Sequence, residues 1–401
     1  MRSQQAQTAI QNEQTYIMQT YLRPDVVFER GEGAFLYDTE GNRYLDFVAG
    51  IGVNALGYGD PDVLRVINEQ ASRLIHVSNL FHTIPGGTLA KELIEHSHGF
   101  DRVFFSNSGA EAIEGSLKLA RKYARDYYGE GKTTFVSFEG SFHGRTMGAV
   151  AITSREAYRL PFHPVMPHVR FATLNDPASF DGAMGDDVCG VVVEPVQGEG
   201  GLNVAQGEFL RHVRDVCTRH GALMIVDEIQ CGMGRTGTLW AHEQAGVRPD
   251  IMTLAKPLAG GLPIGAILAS QAVADSFAPG NHGTTFGGGP LITAVANVVF
   301  GKVKEPTFLE HVRHIGAYLE QQLQQLIANH PDTIVETRGR GLMRGLLVTK
   351  PATDIRQACY EQWLLVATAG PDVVRLLPPL IVDESHVNEA MTLLDRALRA
   401  G

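Results

Sequence analysis

The sequence predicts an α/β fold: a large domain with a mainly parallel sheet, joined to a smaller α+β domain drawn from both chain ends. Three observations carry this prediction. First, short apolar β-rich runs open VVVEPVQGEG at 191, LMIVDEIQCGMGRTG at 223 and IMTLAKPLAGGLPIGA at 251, with helix-patterned chain between the first two. Continuous apolar runs mark strands covered on both faces, as in parallel sheets. Second, the first two runs end in carboxylates, Glu194 and Asp227, and the third leads into Lys256. Parallel strands deliver such residues to one sheet edge, where open α/β folds place their sites. Third, strands and helices keep alternating outside this block, toward both termini.

The elements follow in order. Residues 1–20 read as a helical lead-in. GAFLYDTEGNRYLDF, from Gly33, holds two short strands around a turn at 39–42. Asp60 caps a helix that Pro61 begins, with Val63, Ile67, Ala71 and Leu74 on its apolar face. The stretch VSNLFHTIPGG (77–87) is expected to be irregular. Strands are expected at 102–105, 134–138 and 264–269. SNSGAEA (106–112) turns from the first of these into a helix, and another helix at 208–220 stops at Gly221. The glycine-rich 280–290 is more than a plain connector. From 294 to 329 the pattern is helical but broken. Strands at 341–349 and 373–377 alternate with helices at 355–362 and 387–400. The expected domains are 1–60, 61–293 and 294–401, the first and last forming the smaller one.

Composition narrows the function. A chain of 401 residues with 44% apolar and 19% charged residues has ordinary globular make-up. A net charge of -10 argues against nucleic acid or an anionic membrane as a general partner, though not against a local basic pocket. The four cysteines lack CxxC spacing, so neither a disulfide framework nor a structural zinc site is indicated. The polar N-terminus and the lack of a span-length apolar run favour a cytoplasmic location.

The chemistry comes from residues that mean little singly. A strand-end acid is most often a surface charge, Lys256 alone a solvent lysine, and Phe142 alone a core residue. Together they supply what pyridoxal phosphate requires. Its aldehyde needs an amine (Lys256), and its ring nitrogen stays protonated beside a carboxylate (Asp227). Its phosphate suits the free N–H groups of a helix start, here Ser108, Gly109 and Ala110. Its face suits an aromatic partner, Phe142. Metal chemistry is the rival, but the histidines are scattered and His143 lacks ligand spacing.

NSGAEA, SFHGRT, EPVQGEGG, DEIQCGMGRTG, TLAKPLAGGLPIGA and the TFGG loop occur in one order over a chain that, from Tyr21 onward, resembles the class III aminotransferases, nearest their acetylornithine branch. The resemblance implies a fold-type I pyridoxal 5'-phosphate enzyme with a seven-stranded sheet and a homodimer whose sites are shared at the interface. It implies that Lys256 forms the Schiff base and moves the proton, that Asp227 pairs with the ring nitrogen, and that Gln230 lies near the ring's phenolic oxygen. Glu194 belongs to the same cofactor pocket, and Thr285 resembles a threonine reaching the phosphate from the other subunit. Arg145 resembles the clamp for the α-carboxylate of an N-acylated donor. Arg375 resembles the grip for glutamate or 2-oxoglutarate, and Glu199 the gate glutamate that pairs with it. Tyr21 is expected to cover the substrate pocket.

Three departures stand out: Tyr58 in GYGDP where the family has GH-x-HP, Gly289 where it has asparagine, and Trp363 where it often has glycine. The implied reaction moves the terminal amine of N-acetylornithine, or a close acylated analogue, to 2-oxoglutarate. Ornithine and 4-aminobutyrate are the alternative donors. A glutamate-1-semialdehyde-type aminomutase is disfavoured by the DEIQ-x-G-x-GRTG wording, and a non-catalytic relative by the presence of both Lys256 and Asp227.

Overall fold

A seven-stranded sheet organises the chain in the computed structural model, which describes residues 3–400. Residues 1, 2 and 401, included in the expected domain limits, lie outside the described residues. Across the sheet the strands run Arg102–Ser106, Gly265–Ala269, Ile251–Leu254, Leu223–Asp227, Val188–Val193, Thr134–Phe138 and Val169–Ala172. Gly265–Ala269 is antiparallel to both of its neighbours, and every other pairing is parallel. The mainly parallel sheet is therefore as expected.

Side-chain alternation explains why these strands are apolar throughout. Val191, Val193, Met224 and Val226 point into one buried cluster, which Phe180, Phe209 and Val213 complete. Val192, Leu223 and Ile225 point the other way, onto Ile113, Leu117 and Ala120 of the helix Gly109–Tyr128. Register then sets the site. Val193 lies beside Val226 and Asp227 beside Thr253, so Glu194, Asp227 and the turn into Lys256 emerge along one edge.

The smaller domain draws on both chain ends. Arg43–Asp46 pairs in parallel with Leu364–Leu365, in a sheet that Phe28–Glu32 and Phe35–Asp38 complete. A second four-stranded sheet orders Ile334–Arg340, Met343–Val348, Val373–Leu376 and Ala367–Thr368. Leu45 and Phe47 share a core with Leu319, Leu346, Leu364 and Leu394. The helix Pro290–Val303 straddles the expected 293/294 boundary, and its Val295, Val299 and Phe300 belong to the large domain's core.

Several elements escape the sequence pattern. Val169–Ala172 is a strand at the sheet's edge, where Arg170 can face solvent and interrupt the apolar run. Ile334–Arg340 is mostly exposed or half-buried, so it has no apolar signature. Part of the expected irregular stretch at 77–87 is helical, because Ile84–Glu95 starts with Pro85 in its first turn. Pro306 opens a separate helix, Pro306–Asn329, and accounts for the break in the 294–329 pattern. No helix among the described residues is long and apolar enough to cross a membrane.

Candidate active site

A cavity of about 420 Å³ opens at the carboxyl edge of the sheet. Ten of the sequence-predicted residues line it: Ser108, Gly109, Ala110, Phe142, Arg145, Glu194, Glu199, Asp227, Gln230 and Lys256.

Asp227 ends the central strand and is 4% exposed. Its Oδ1 accepts the Ile229 N–H at 3.0 Å, and its Oδ2 accepts the His143 Nδ1–H at 2.7 Å. Sequence reasoning weighed His143 only as a metal ligand and so missed this contact. The one available signal was its place beside Phe142 in SFHGRT. Burial disfavours the imidazolium, but the bond to Asp227 outweighs it and holds the His143 pKa above its ordinary value. Glu194 accepts N–H groups from Phe142 and Gly198, each at 3.1 Å. Burial raises its pKa against the opposing pull of His143, with the charge of Asp227 adding to the rise.

Lys256 follows the strand Ile251–Leu254, and no hydrogen bond or ion pair holds its amine among the described residues. Burial lowers its pKa first, and the Arg375 charge lowers it further. Arg375→Ala is therefore expected to raise the Lys256 pKa, because a cation opposing the ammonium form is removed while Glu199 stays. In the cofactor-free protein this appears as a shift to higher pH in the reaction of that amine with an aldehyde probe. An unchanged or lower midpoint would contradict the electrostatics described here.

The helix Gly109–Tyr128 begins at the opposite wall. Ser108 caps it by accepting the Glu111 N–H at 3.2 Å, leaving the Gly109 and Ala110 N–H groups at the cavity without acceptors among the described residues. Phe142 is half-buried on the loop that also carries His143. Gln230 is 7% exposed, and its amide nitrogen is buried at the cavity wall without a partner among the described residues. An orphaned donor, two free N–H groups, an unengaged amine and a buried carboxylate fit a phosphorylated pyridine aldehyde. Lys256 would hold its aldehyde, Asp227 its ring nitrogen, and Gly109 and Ala110 its phosphate.

Arg375 sits behind the cavity wall at 2% exposure. Its guanidinium pairs with Glu199 at 2.7 Å and donates to Gly198 O at 3.0 Å and Gln230 Oε1 at 3.3 Å. Arg145 is exposed and stacks on Tyr158, 3.5 Å from the ring centroid, without an acidic partner among the described residues. Thr285 is exposed and lies outside the cavity. Tyr21 is also outside it, 72% exposed on a separate groove with Glu13 and Arg23. Single-chain packing thus brings neither residue to the site.

The three sequence departures leave the Lys256–Asp227 centre untouched. Tyr58 donates to Asp46 Oδ2 at 2.7 Å, Gly289 precedes the helix Pro290–Val303, and Trp363 packs its edge on Tyr44 at 4.9 Å.

The description of the class-III aminotransferases matches residues 16–398, nearly the whole chain. The chain belongs to the class-III aminotransferase family. It is thus a pyridoxal-phosphate-dependent aminotransferase. This aminotransferase is 49% identical over 386 residues to the mitochondrial acetylornithine aminotransferase of Alnus glutinosa, covering 95% of this chain and 85% of that one. Among solved structures it resembles the N-acetylornithine aminotransferase of Stenotrophomonas maltophilia, with a TM-score of 0.85, 38% identity and 98% of each chain covered. It also resembles the ornithine aminotransferase of Toxoplasma gondii, with a TM-score of 0.94, 31% identity, and 100% of this chain and 96% of that one covered.

Proposed function

We propose that this aminotransferase moves the terminal amine of N-acetylornithine, or a close acylated analogue, to 2-oxoglutarate. The donor leaves as an aldehyde and the acceptor as glutamate. The observation that carries this proposal is the closed Glu199–Arg375 pair beside an unpaired Arg145. A terminal-amine donor brings no carboxylate next to the reacting carbon, so a neutralised Arg375 suits it, while Arg145 is free to hold its distant carboxylate. Glutamate and 2-oxoglutarate carry that adjacent carboxylate and would need Arg375 released. Planar guanidinium groups suit both tasks because they grip carboxylates bidentately. The likeness to acetylornithine aminotransferases supports the same donor.

Pyridoxal phosphate, when bound, supplies the electron sink that lets a proton leave the donor's amine-bearing carbon. Lys256 would take that proton and return it, and burial, which lowers its pKa, favours the neutral amine this needs. Asp227 would keep a ring nitrogen protonated by its charge, and the His143 bond to Oδ2 fixes the carboxylate's orientation. Phe142 lines the cavity, where its ring would cover one face of the cofactor.

A homodimer with shared sites belongs to the same proposal. Leu80, Phe81, Ile84 and Phe286 are 65–86% exposed, and Asn79 ties their two loops together by donating to Thr284 O at 3.1 Å and Gly287 O at 2.9 Å. A second copy covering this apolar surface would bring a partner's Thr285 loop toward the phosphate end. Ornithine is the second donor to consider, on the strength of the Toxoplasma likeness.

The two-arginine division is tested by single-turnover amine uptake from each donor separately. Arg145→Ala is expected to slow N-acetylornithine by about 30-fold or more, as for loss of a charge pair worth about 2–5 kcal/mol, and to spare glutamate. Arg375→Ala is expected to do the reverse. Equal slowing of both donors by both variants would overturn the division. Faster wild-type uptake from ornithine than from N-acetylornithine would overturn the donor.

A further inference from the structure

The gate assigned to Glu199 leaves a physical question: where its charge goes when a substrate carboxylate takes Arg375. On the far side of Glu199 lies a second cavity of about 430 Å³, at the junction of the two domains. Phe142 and Glu199 line both cavities. The second one also holds Arg338.

Sheet register relates Arg338 to Arg375. Arg338 pairs with Gly345, and Gly345 pairs with Arg375, so the three lie side by side across adjacent strands. Directly opposed residues point to the same face. The two arginines therefore share one face, roughly 10 Å apart at two strand spacings. Gly345 places no side chain between them. The segment 198–202 crosses this gap: Gly198 O accepts from Arg375, and a β-carbon on Gly345 would meet Leu202 at 3.2 Å. One on Gly201 would meet Arg338 Nη1 at 3.4 Å. Glu199, two residues before Gly201, pairs with Arg375 and lines the same cavity as Arg338.

We propose that Arg338 is the alternative seat of the Glu199 carboxylate, so that the gate exchanges one arginine for another instead of releasing a bare charge at the domain junction. This rests on the reading of Glu199 as a gate. Arg338 has bonding capacity for the task. Its Nε meets Glu336 at 2.7 Å, while Nη1 and Nη2 carry no hydrogen bond among the described residues. Arg155, the other cation lining this cavity, lies over the Tyr158 ring at 4.9 Å from its centroid and donates to the Tyr158 hydroxyl at 3.0 Å. Glu139, Glu156 and Asp372 also line it, so an unpaired carboxylate arriving there would meet repulsion without Arg338. The backbone constrains the motion. A β-carbon on Gly200 would lie 1.9 Å from Gly140 O, so the chain is packed tightly there and the exchange uses the Glu199 side-chain torsions. Arg338 is a positioning residue, acting through Glu199 on the availability of Arg375.

The test is a double-mutant cycle read by calorimetric binding of glutarate, an unreactive dicarboxylate, to the holoenzyme. Arg338→Ala is expected to weaken glutarate about tenfold where Glu199 is present, equivalent to about 1.4 kcal/mol. In a Glu199→Ala background the same change is expected to alter affinity by less than about twofold. Arg338→Lys should restore most of the loss, which a generally disturbed fold would not do. Equal weakening in both backgrounds overturns the proposal, because Arg338 would then act on the ligand directly. No weakening in the Glu199 background also overturns it. Glu199→Ala should itself tighten glutarate by removing the competitor for Arg375. If it does not, the gate reading fails first, and that failure is distinguishable from failure at Arg338 alone.

Discussion

Lys256→Ala is expected to abolish turnover, by about 10³-fold or more, while leaving the fold intact. Positioned proton transfer alone contributes about 10²–10⁴-fold, and this residue also provides the covalent anchor for the cofactor. The cavity has no obvious replacement. Among the described residues lining it, the Arg145 guanidinium stays protonated at working pH, and His143 is held by its bond to Asp227. Folding should hold because the Lys256 amine makes no hydrogen bond or ion pair among the described residues whose loss would expose a buried partner. The cofactor should still bind through the helix start and Asp227. The check is steady-state rate together with thermal midpoint and cofactor content. Residual activity above about one per cent would contradict the role.

Asp227→Asn is the second large effect. It keeps the side chain's shape and an oxygen to accept from His143, but removes the negative charge at the end of the central strand. Breaking a buried charge pair costs about 3–5 kcal/mol, so the rate is expected to fall about 10²–10⁴-fold. His143 should lose much of its bias toward the protonated form, since the contact that raised its pKa becomes neutral. A pH titration of the His143 ring resonances would record a lower midpoint than in the parent protein. A near-normal rate, or an unmoved His143 midpoint, would contradict the assignment.

What the sequence reveals of this site depends on how each residue is delivered. Asp227 and Glu194 end buried strands, so apolar runs announce them and the parallel register brings them together. Gly109 and Ala110 open a long helix whose cap is legible in SNSGAEA. Arg375 is harder: its strand belongs to the smaller domain, and it reaches the cavity wall through contacts to Gly198 and Gln230, 177 and 145 positions away. No local pattern encodes such a contact, and only family resemblance pointed to it. His143 has no periodic signal of its own, because its partner is 84 positions distant. Arg338 is similar, since its relation to Arg375 passes through two strand pairings and a glycine. The missed strands at Val169–Ala172 and Ile334–Arg340 share a simpler cause, for both are edge strands whose solvent-facing residues erase the apolar run.

The most direct measurement is borohydride reduction of the holoenzyme followed by peptide mapping of the pyridoxyl-labelled lysine. All else in the account, from the Asp227 charge to the exchange at Glu199, is arranged around the amine that emerges beyond Ile251–Leu254. A single labelled site, Lys256, is expected. A pyridoxyl group on any other lysine, with Lys256 unmodified, would contradict it.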